Sequence, residues 1–180
     1  VDGCATKVSD VLTPVDINYS VPTVYACYGS SSEIQPIAST PDLAFTYYDQ
    51  LGTSQLGTGV SLPINTVTQS MTYTVVASKD GCDVSKKVSL YALTNPPLRV
   101  TENVDVCKGS SVNLSVISPM SDTKYYWGSI GMNEGATYSI GSVSDKTTYN
   151  VYAIKDYSST YESAPACTTA KSVTVTPIET

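Results

Sequence analysis

The feature of this sequence that most constrains its fold is an internal repeat. The segment VYACYGSSS begins at Val24 and the similar segment VDVCKGSSV begins at Val104. Their cysteines, Cys27 and Cys107, are 80 residues apart (27 to 107). Cysteines of a second kind recur at similar steps at positions 4, 82 and 167. Such a period is typical of chains built from copies of one small domain. We therefore predict two full repeats, residues 15–95 and 96–180, after the last strand of a preceding repeat at residues 1–14.

Alternating apolar residues predict that each repeat is built of β-strands. In SVNLSVI the side chains of Val112, Leu114 and Val116 fall on one face, and TYNVYAI repeats the pattern around Val151. The 14 tyrosines, with many Thr and Val, suit pleated sheets. In the second repeat we predict strands near residues 98–106, 111–117, 123–128, 136–141, 147–155 and 169–176. With Gly-Ser, Asp-Gly and Pro-Pro breaks between strands, this predicts all-β, two-sheet antiparallel sandwiches.

Aromatic residues recur between the copies and divide into two groups. We expect Tyr47, Tyr73, Tyr125, Tyr149 and Trp127 to lie in the cores, because they occupy matching places in the two repeats. Three other tyrosines lie in predicted loops, and these are our candidate surface contacts: Tyr28, Tyr157 and Tyr161. The last two belong to an insertion, DYSSTYESAPA, that only the second copy has.

The charges and the residue types argue against several classes of function. The net charge is −6 and the Lys and Arg residues do not cluster, which disfavours nucleic-acid binding. The chain has no His, so it offers no Ser-His, Cys-His or zinc-His arrangement. The carboxylates fall singly in predicted loops, and the apolar runs are too short to insert into a membrane. We expect no catalytic, cofactor-binding or metal-binding residues.

The order of the motifs resembles a known family. The order is V-x-C-x-G-S-S, an aromatic pair with Asp at 47–49, L-G-T-G at 56–59, T-Y-x-V, G-C at 81–82 and V-x-V-T-P at 173–177. It is similar to the immunoglobulin-like repeat of very large Bacteroidetes cell-surface proteins, such as gliding-motility adhesins and cargo of the type IX secretion system. The resemblance implies tandem immunoglobulin-like sandwiches joined head to tail, secretion, and a structural or adhesive role without catalysis. The second copy departs from it at Gly128 and Ser129, which replace the Tyr-Asp pair.

The five cysteines indicate an oxidising compartment, and two pairings are open for four of them. The default is a bond within each repeat, Cys27–Cys82 and Cys107–Cys167. A strict immunoglobulin topology separates those positions and favours Cys27–Cys167 between repeats. Cys4 is the odd cysteine, and we expect its partner to lie outside this sequence.

Three functions agree with these observations. The first is a stiff extracellular spacer in a cell-surface filament or adhesin, whose partners are neighbouring repeats of the same chain or filament. The second is a module that binds a surface glycan or matrix through Tyr28, Tyr157 and Tyr161. The third is a polymerising fibre subunit that donates residues 5–13 as a strand to its neighbour.

Overall fold

The structure, a computed structural model, describes residues 14–179. All regular secondary structure in this range is β-strand, and the range contains no helix that is long and apolar enough to cross a membrane. The donated strand 5–13 and Cys4 lie outside the described residues, as does almost all of the predicted strand 1–14.

Fifteen strands follow one another along the described chain. The first nine are β1 (Tyr19–Ser20), β2 (Val24–Cys27), β3 (Ser32–Ile34), β4 (Ile37–Ala38), β5 (Ala44–Tyr48), β6 (Gln55–Thr58), β7 (Leu62–Ile64), β8 (Met71–Lys79) and β9 (Cys82–Leu93). The other six are β10 (Val104–Cys107), β11 (Val112–Ser115), β12 (Lys124–Trp127), β13 (Thr137–Ile140), β14 (Thr147–Asp156) and β15 (Ala166–Ile178). Each strand predicted in the second repeat overlaps an observed one.

Residue contacts divide the chain into two compact units. Unit 1 holds residues 14–23, Glu33–Pro63 and Met71–Ser89. Unit 2 holds Val24–Ser32, Ile64–Ser70 and residues 90–179. Three segments of the first sequence repeat therefore belong to the same unit as the second repeat. The repeat boundaries at 15–95 and 96–180 stay a prediction.

Unit 2 is a two-sheet sandwich with immunoglobulin-like strand order. One sheet has the order β10-β15-β14-β12, in which β10 runs parallel to β15 and the other pairs are antiparallel. The other sheet pairs β11 with β13. The order β12-β14-β15 opposite β11-β13 is that of strands C-F-G opposite B-E in the immunoglobulin fold. The core between the sheets is formed by residues of both, among them Leu114, Trp127, Val151, Val173 and Val175.

Unit 1 contains a sheet in which β9, β8, β5 and β6 are neighbours. In the β5–β8 pair, Tyr47 lies opposite Val75 and Phe45 opposite Ala77. These side chains are buried, since alternate residues of both strands face the same side of the sheet. The Tyr19 ring packs edge-on against Phe45 with the ring centroids 5.5 Å apart. The all-β prediction is thus confirmed in both units.

The predicted core aromatics behave as expected in both units. Tyr47, Tyr73, Tyr125 and Trp127 are buried, and Tyr149 packs partly buried against the core of unit 2. The Trp127 indole stacks on Tyr138 with the ring centroids 5.9 Å apart, and its Nε1–H donates to the Gly135 carbonyl at 3.1 Å. Trp127 thus fills the centre of the sandwich while its one polar group is satisfied.

Replacing Trp127 by Ala should lower the free energy of unfolding of unit 2 by about 3–5 kcal/mol, because it leaves a cavity where a fully buried ring packed. The measurement is urea unfolding followed by circular dichroism. Trp127→Phe is the matched control and should lose less, because it keeps a ring in the core. A loss below about 1 kcal/mol for Trp127→Ala would mean that the ring is not a core residue.

Candidate functional site: the Cys27 junction

A disulfide joins Cys27, the last residue of β2, to Cys167 near the start of β15. Both cysteines belong to unit 2, their Cα atoms are 5.6 Å apart, and 140 residues separate them in sequence. The default prediction of bonds within each repeat is therefore wrong for Cys27 and Cys167. The alternative pairing between repeats is the one that the structure has.

The direction of the pairing strands explains this correction. Because β10 is parallel to β15, Cys107 lies opposite Ile178, at the far end of the strand that Cys167 begins. The 11 residues between 167 and 178 correspond to about 36 Å of strand. In the first repeat Cys27 likewise lies opposite Leu93, whereas Cys82 begins β9. A disulfide requires Cα atoms within about 7 Å, so neither bond within a repeat can form.

Three tyrosine rings stack beside the disulfide. Tyr25, two residues before Cys27, lies between Tyr91 of β9 and Tyr161 of the loop that precedes β15. The ring centroids are 5.4 Å apart for Tyr25–Tyr91 and 4.9 Å apart for Tyr25–Tyr161, and both pairs are nearly parallel. Beneath them Leu93, Ala164 and Cys167 form a small buried cluster, against which Cys27 and Tyr157 also pack. We call this set of residues the Cys27 junction.

Hydrogen bonds fix the linker Thr94–Pro97 within the Cys27 junction. The Tyr157 hydroxyl donates to the Thr94 carbonyl at 2.7 Å, and the Thr169 hydroxyl donates to the Pro96 carbonyl at 2.6 Å. The Asn95 side-chain amide donates to the Tyr28 carbonyl at 2.9 Å. The backbone carbonyls of the linker and its neighbour are thereby held by side chains, which favours a single linker conformation.

The three candidate surface tyrosines differ in their exposure and contacts. Tyr28 is 55% exposed and makes no aromatic contact among the described residues. Tyr157 and Tyr161 are used inside the Cys27 junction instead, although Tyr161 keeps 40% of its surface exposed. Sequence reasoning noticed the insertion that carries these two residues. It missed their partners Tyr25 and Tyr91. The sequence does mark these two residues, because the matching positions of the second repeat hold Asp105 and Thr176 and no tyrosine.

A charged pair borders the Cys27 junction. The Lys155 ammonium lies 2.7 Å from an Asp122 carboxylate oxygen and 5.1 Å from the centre of the Tyr157 ring. Its hydrogen bond holds the pKa of Asp122 below the ordinary value, and Asp122 in turn raises the pKa of Lys155. The pair positions Lys155 beside Tyr157, and because both side chains are at least partly exposed to solvent it adds little to stability.

Two other cysteines are free in the described part of the chain. Cys82 and Cys107 are exposed and form no disulfide among residues 14–179. The same residues hold no group of three or more His, Cys, Asp or Glu side chains that could bind a metal ion.

Buried tyrosine hydroxyls give unit 1 a dependence on alkaline pH. Burial raises the pKa of Tyr47 to about 12, with a smaller contribution from the negative charge of Glu33. Burial also raises the pKa of Tyr19 and Tyr73. The Tyr19 and Tyr47 hydroxyls donate to the carbonyls of Val75 and Gly59, at 2.8 and 3.2 Å, and these bonds require the protonated form.

We therefore expect the stability of unit 1 to fall as the pH rises from about 10 to about 12. The native state binds the tyrosine protons more tightly than the unfolded state, so their contribution is complete below pH 10 and is lost through the native pKa. Urea midpoints measured across this range, with Tyr47→Phe as the matched control, test the effect. An equally steep decline in Tyr47→Phe would show that Tyr47 is not responsible.

Comparisons with known proteins locate no family. No protein-family model matches the chain, and no curated protein matches it. Matching solved structures include the fibronectin(III)-like modules of Clostridium thermocellum CbhA, 14% identical over 90% of this chain and 95% of that one, with a TM-score of 0.42. Drosophila OTK extracellular domains 3–5 match at 12% identity over 91% and 62%, with a TM-score of 0.44. Because these identities and TM-scores are low, the immunoglobulin-like assignment rests on strand order and core.

Proposed function

We propose that this chain is a load-bearing structural segment of an extracellular, cell-surface protein. The observation that carries the proposal is the Cys27–Cys167 disulfide, which closes a loop of 140 residues around most of the chain. Disulfides persist in oxidising environments outside the cytosol, which supports an extracellular location. The resemblance to Bacteroidetes surface repeats supports the finer proposal of a stiff spacer in a surface filament or gliding-motility adhesin.

The disulfide changes which residues experience tension. When the two ends of the chain are pulled apart, the covalent path runs from residue 27 through the disulfide to residue 167. Residues 28–166, which include the strands of unit 1 from β3 to β8, then lie off the path of force. Strand pairs formed within that loop, such as β5–β8 and β12–β14, are shielded, so a tether of this kind does not release the length of the loop under load.

The fixed linker supports the same role. Pro-containing linkers are stiff, and here the carbonyls of Thr94 and Pro96 also accept side-chain hydrogen bonds. Stacked Tyr25, Tyr91 and Tyr161 add contact area beside the disulfide, each aromatic pair being worth about 0.5–1.5 kcal/mol. A spacer needs resistance to bending and stretching at its joints, and these contacts provide it at the Cys27 junction.

The test is the lifetime of single molecules held at constant tension by their ends. In oxidising buffer the wild-type chain should stay unextended more than about tenfold longer than a Cys27→Ser/Cys167→Ser variant, because forced opening is governed by the unfolding rate. A Cys82→Ser/Cys107→Ser variant is the matched control, since it also loses two cysteines but keeps the bond. Equal lifetimes for wild type and the Cys27→Ser/Cys167→Ser variant would overturn the load-bearing role.

A binding role is the second candidate, favoured by a groove in unit 1. The groove has a volume of about 740 Å³ and is lined by residues that include Pro36, Pro41, Asp42 and Phe45. That volume is within the range of small-ligand sites, about 300–1,000 Å³. The exposed side chain of Tyr28 is a separate candidate contact for a sugar or matrix surface.

Glycan and matrix panels test this second role. The wild-type chain should bind at least one glycan, and Asp42→Ala or Tyr28→Ala should abolish binding at the groove or at Tyr28 respectively. Silence of the wild-type chain across the panel at millimolar glycan would remove the binding role.

A further inference from the structure

We propose that the end of unit 2 that carries Cys107 docks the β8–β9 hairpin of a second copy of this chain, and that a disulfide from Cys107 to Cys82 of that copy closes the contact. The inference rests on the proposed function, which it extends from one segment to a chain of segments. The partner is identified by a template within the chain itself, the Cys27 junction.

The Cys107 end has the same backbone structure as the Cys27 end. Cys27 lies opposite the last residue of β9, and Cys107 lies opposite the last residue of β15, each in a parallel pair. Ser30 N–H donates to the Cys27 carbonyl at 3.0 Å, and Ser110 N–H donates to the Cys107 carbonyl at the same distance. The adjacent glycines repeat the match, since Gly29 donates to Val67 and Gly109 to Val143, both at 2.8 Å.

The two ends differ in whether they are covered. Leu93, opposite Cys27, is 5% exposed because Ala164 and Cys167 pack over it. Ile178, the equivalent residue opposite Cys107, is 51% exposed, and Cys107 is also exposed. The Cys107 end therefore has a free thiol beside the exposed Ile178 side chain. The equivalent position of the template has a disulfide at Cys27 beside the buried Leu93 side chain.

Cys82 of the first repeat corresponds in position to Cys167 of the template, since each lies at or near the start of the strand that follows a long antiparallel partner. Cys167 lies opposite Lys155 in the β14–β15 pair. Cys82 follows Lys79 across the two-residue turn Asp80-Gly81, whose residues both have positive φ, 50° and 78°. That conformation is typical of a tight hairpin and places the residues on either side of the turn opposite each other. The exposed Cys82 thiol is thus presented at a hairpin end, next to a lysine.

The side chains around the cysteines favour Cys82 over a second Cys167 as the partner. In the template, Tyr25 and Tyr91 receive Tyr161 from the long loop before Cys167. At the Cys107 end the equivalent positions hold Asp105 and Thr176, which offer no ring to stack on. The hairpin at Cys82 is short and carries no tyrosine between its strands. The short β8–β9 hairpin, which has no aromatic residue in its turn, therefore matches the Cys107 end, which has no aromatic ring to receive one.

The bond forms by ordinary thiol–disulfide exchange. A small-molecule disulfide such as oxidised glutathione accepts the two electrons and two protons of the Cys107 and Cys82 thiols and becomes two thiols. Contacts of this kind are head to tail, so the docking surface of one copy is left free to bind a further copy.

A tandem chain tests the proposal. The tandem joins residues 1–178, carrying Cys4→Ser and Cys82→Ser, to a second copy that starts at Thr13 and carries Cys107→Ser, since Leu12-Thr13 matches Leu93-Thr94. After oxidation with glutathione, free thiols are alkylated and the peptides are mapped. We expect Cys107 of the first copy to be bonded to Cys82 of the second. The alkylation of Cys107 should then be about tenfold lower than in a matched tandem that has Cys82→Ser in the second copy. The Cys27–Cys167 bond in both copies reports correct folding.

Full alkylation of the first copy's Cys107, with both Cys27–Cys167 bonds formed, would overturn this inference and leave the load-bearing role standing. Loss of the Cys27–Cys167 bond in the single chain would instead count against the proposed function. If the tandem does not fold, an equimolar mixture of Cys4→Ser/Cys82→Ser and Cys4→Ser/Cys107→Ser chains decides. Crosslinking above the level of each variant alone supports docking, and crosslinking at that level refutes it.

Discussion

Reducing the Cys27–Cys167 disulfide should lengthen a fully stretched single molecule by about 460–500 Å. Cys27 and Cys167 are 140 positions apart in sequence, each position adds about 3.3–3.6 Å when the chain is extended, and the intact bond keeps this length out of the stretched molecule. Optical-tweezer pulling of the chain by its ends, first in oxidising buffer and then with a reductant, measures the difference directly.

The size of the step distinguishes the possible pairings. A Cys27–Cys82 bond hides 55 residues (27 to 82) and would release about 180–200 Å when reduced. A Cys107–Cys167 bond would release a similar length in a second, separate step. The Cys82→Ser/Cys107→Ser variant should keep the single long step, whereas Cys27→Ser should show none. Two short steps in the wild-type chain would contradict the Cys27 junction.

The strands of unit 2 were predictable because their signal is local. Alternation places Leu114 and Val116 on the inner face whatever the rest of the chain does, since neighbouring side chains of a strand point to opposite sides. Both residues are buried, as is Trp127, which recurs at the same place as Tyr47 in the repeat. A sheet with one buried face fixes these positions by hydrophobic burial alone.

The disulfide partner was not predictable in this way because it depends on strand direction. The spacing of Cys27 and Cys82 in the sequence is the same whether β2 runs parallel or antiparallel to β9. Parallel pairing, however, places Cys27 opposite the last residue of β9, whereas Cys82 is its first residue. Long-range pairing of this kind leaves no local pattern in sequence. The tyrosine stack was hidden for the same reason, because Tyr25 and Tyr161 are far apart along the chain and meet only once Cys27 and Cys167 do.

Replacing Cys27 and Cys167 by Ser should lower the free energy of unfolding by about 3–5 kcal/mol. The chain-entropy model assigns about 5 kcal/mol to a loop of 140 residues, because the bond restricts the unfolded chain far more than the folded one. Urea unfolding of both proteins in oxidising buffer measures the loss. The Cys82→Ser/Cys107→Ser variant is the matched control and should unfold at the wild-type midpoint.

The same experiment separates the bond from the packing around it. If the disulfide acts through the unfolded state, the m-value should rise in Cys27→Ser/Cys167→Ser, because an uncrosslinked chain exposes more surface on unfolding. Tyr161→Ala removes the stacked ring and leaves the bond in place, so it should lower stability by about 1 kcal/mol with an unchanged m-value. A large loss for Tyr161→Ala with a small loss for the cysteine variant would mean that aromatic packing, and not the covalent bond, holds the Cys27 junction closed.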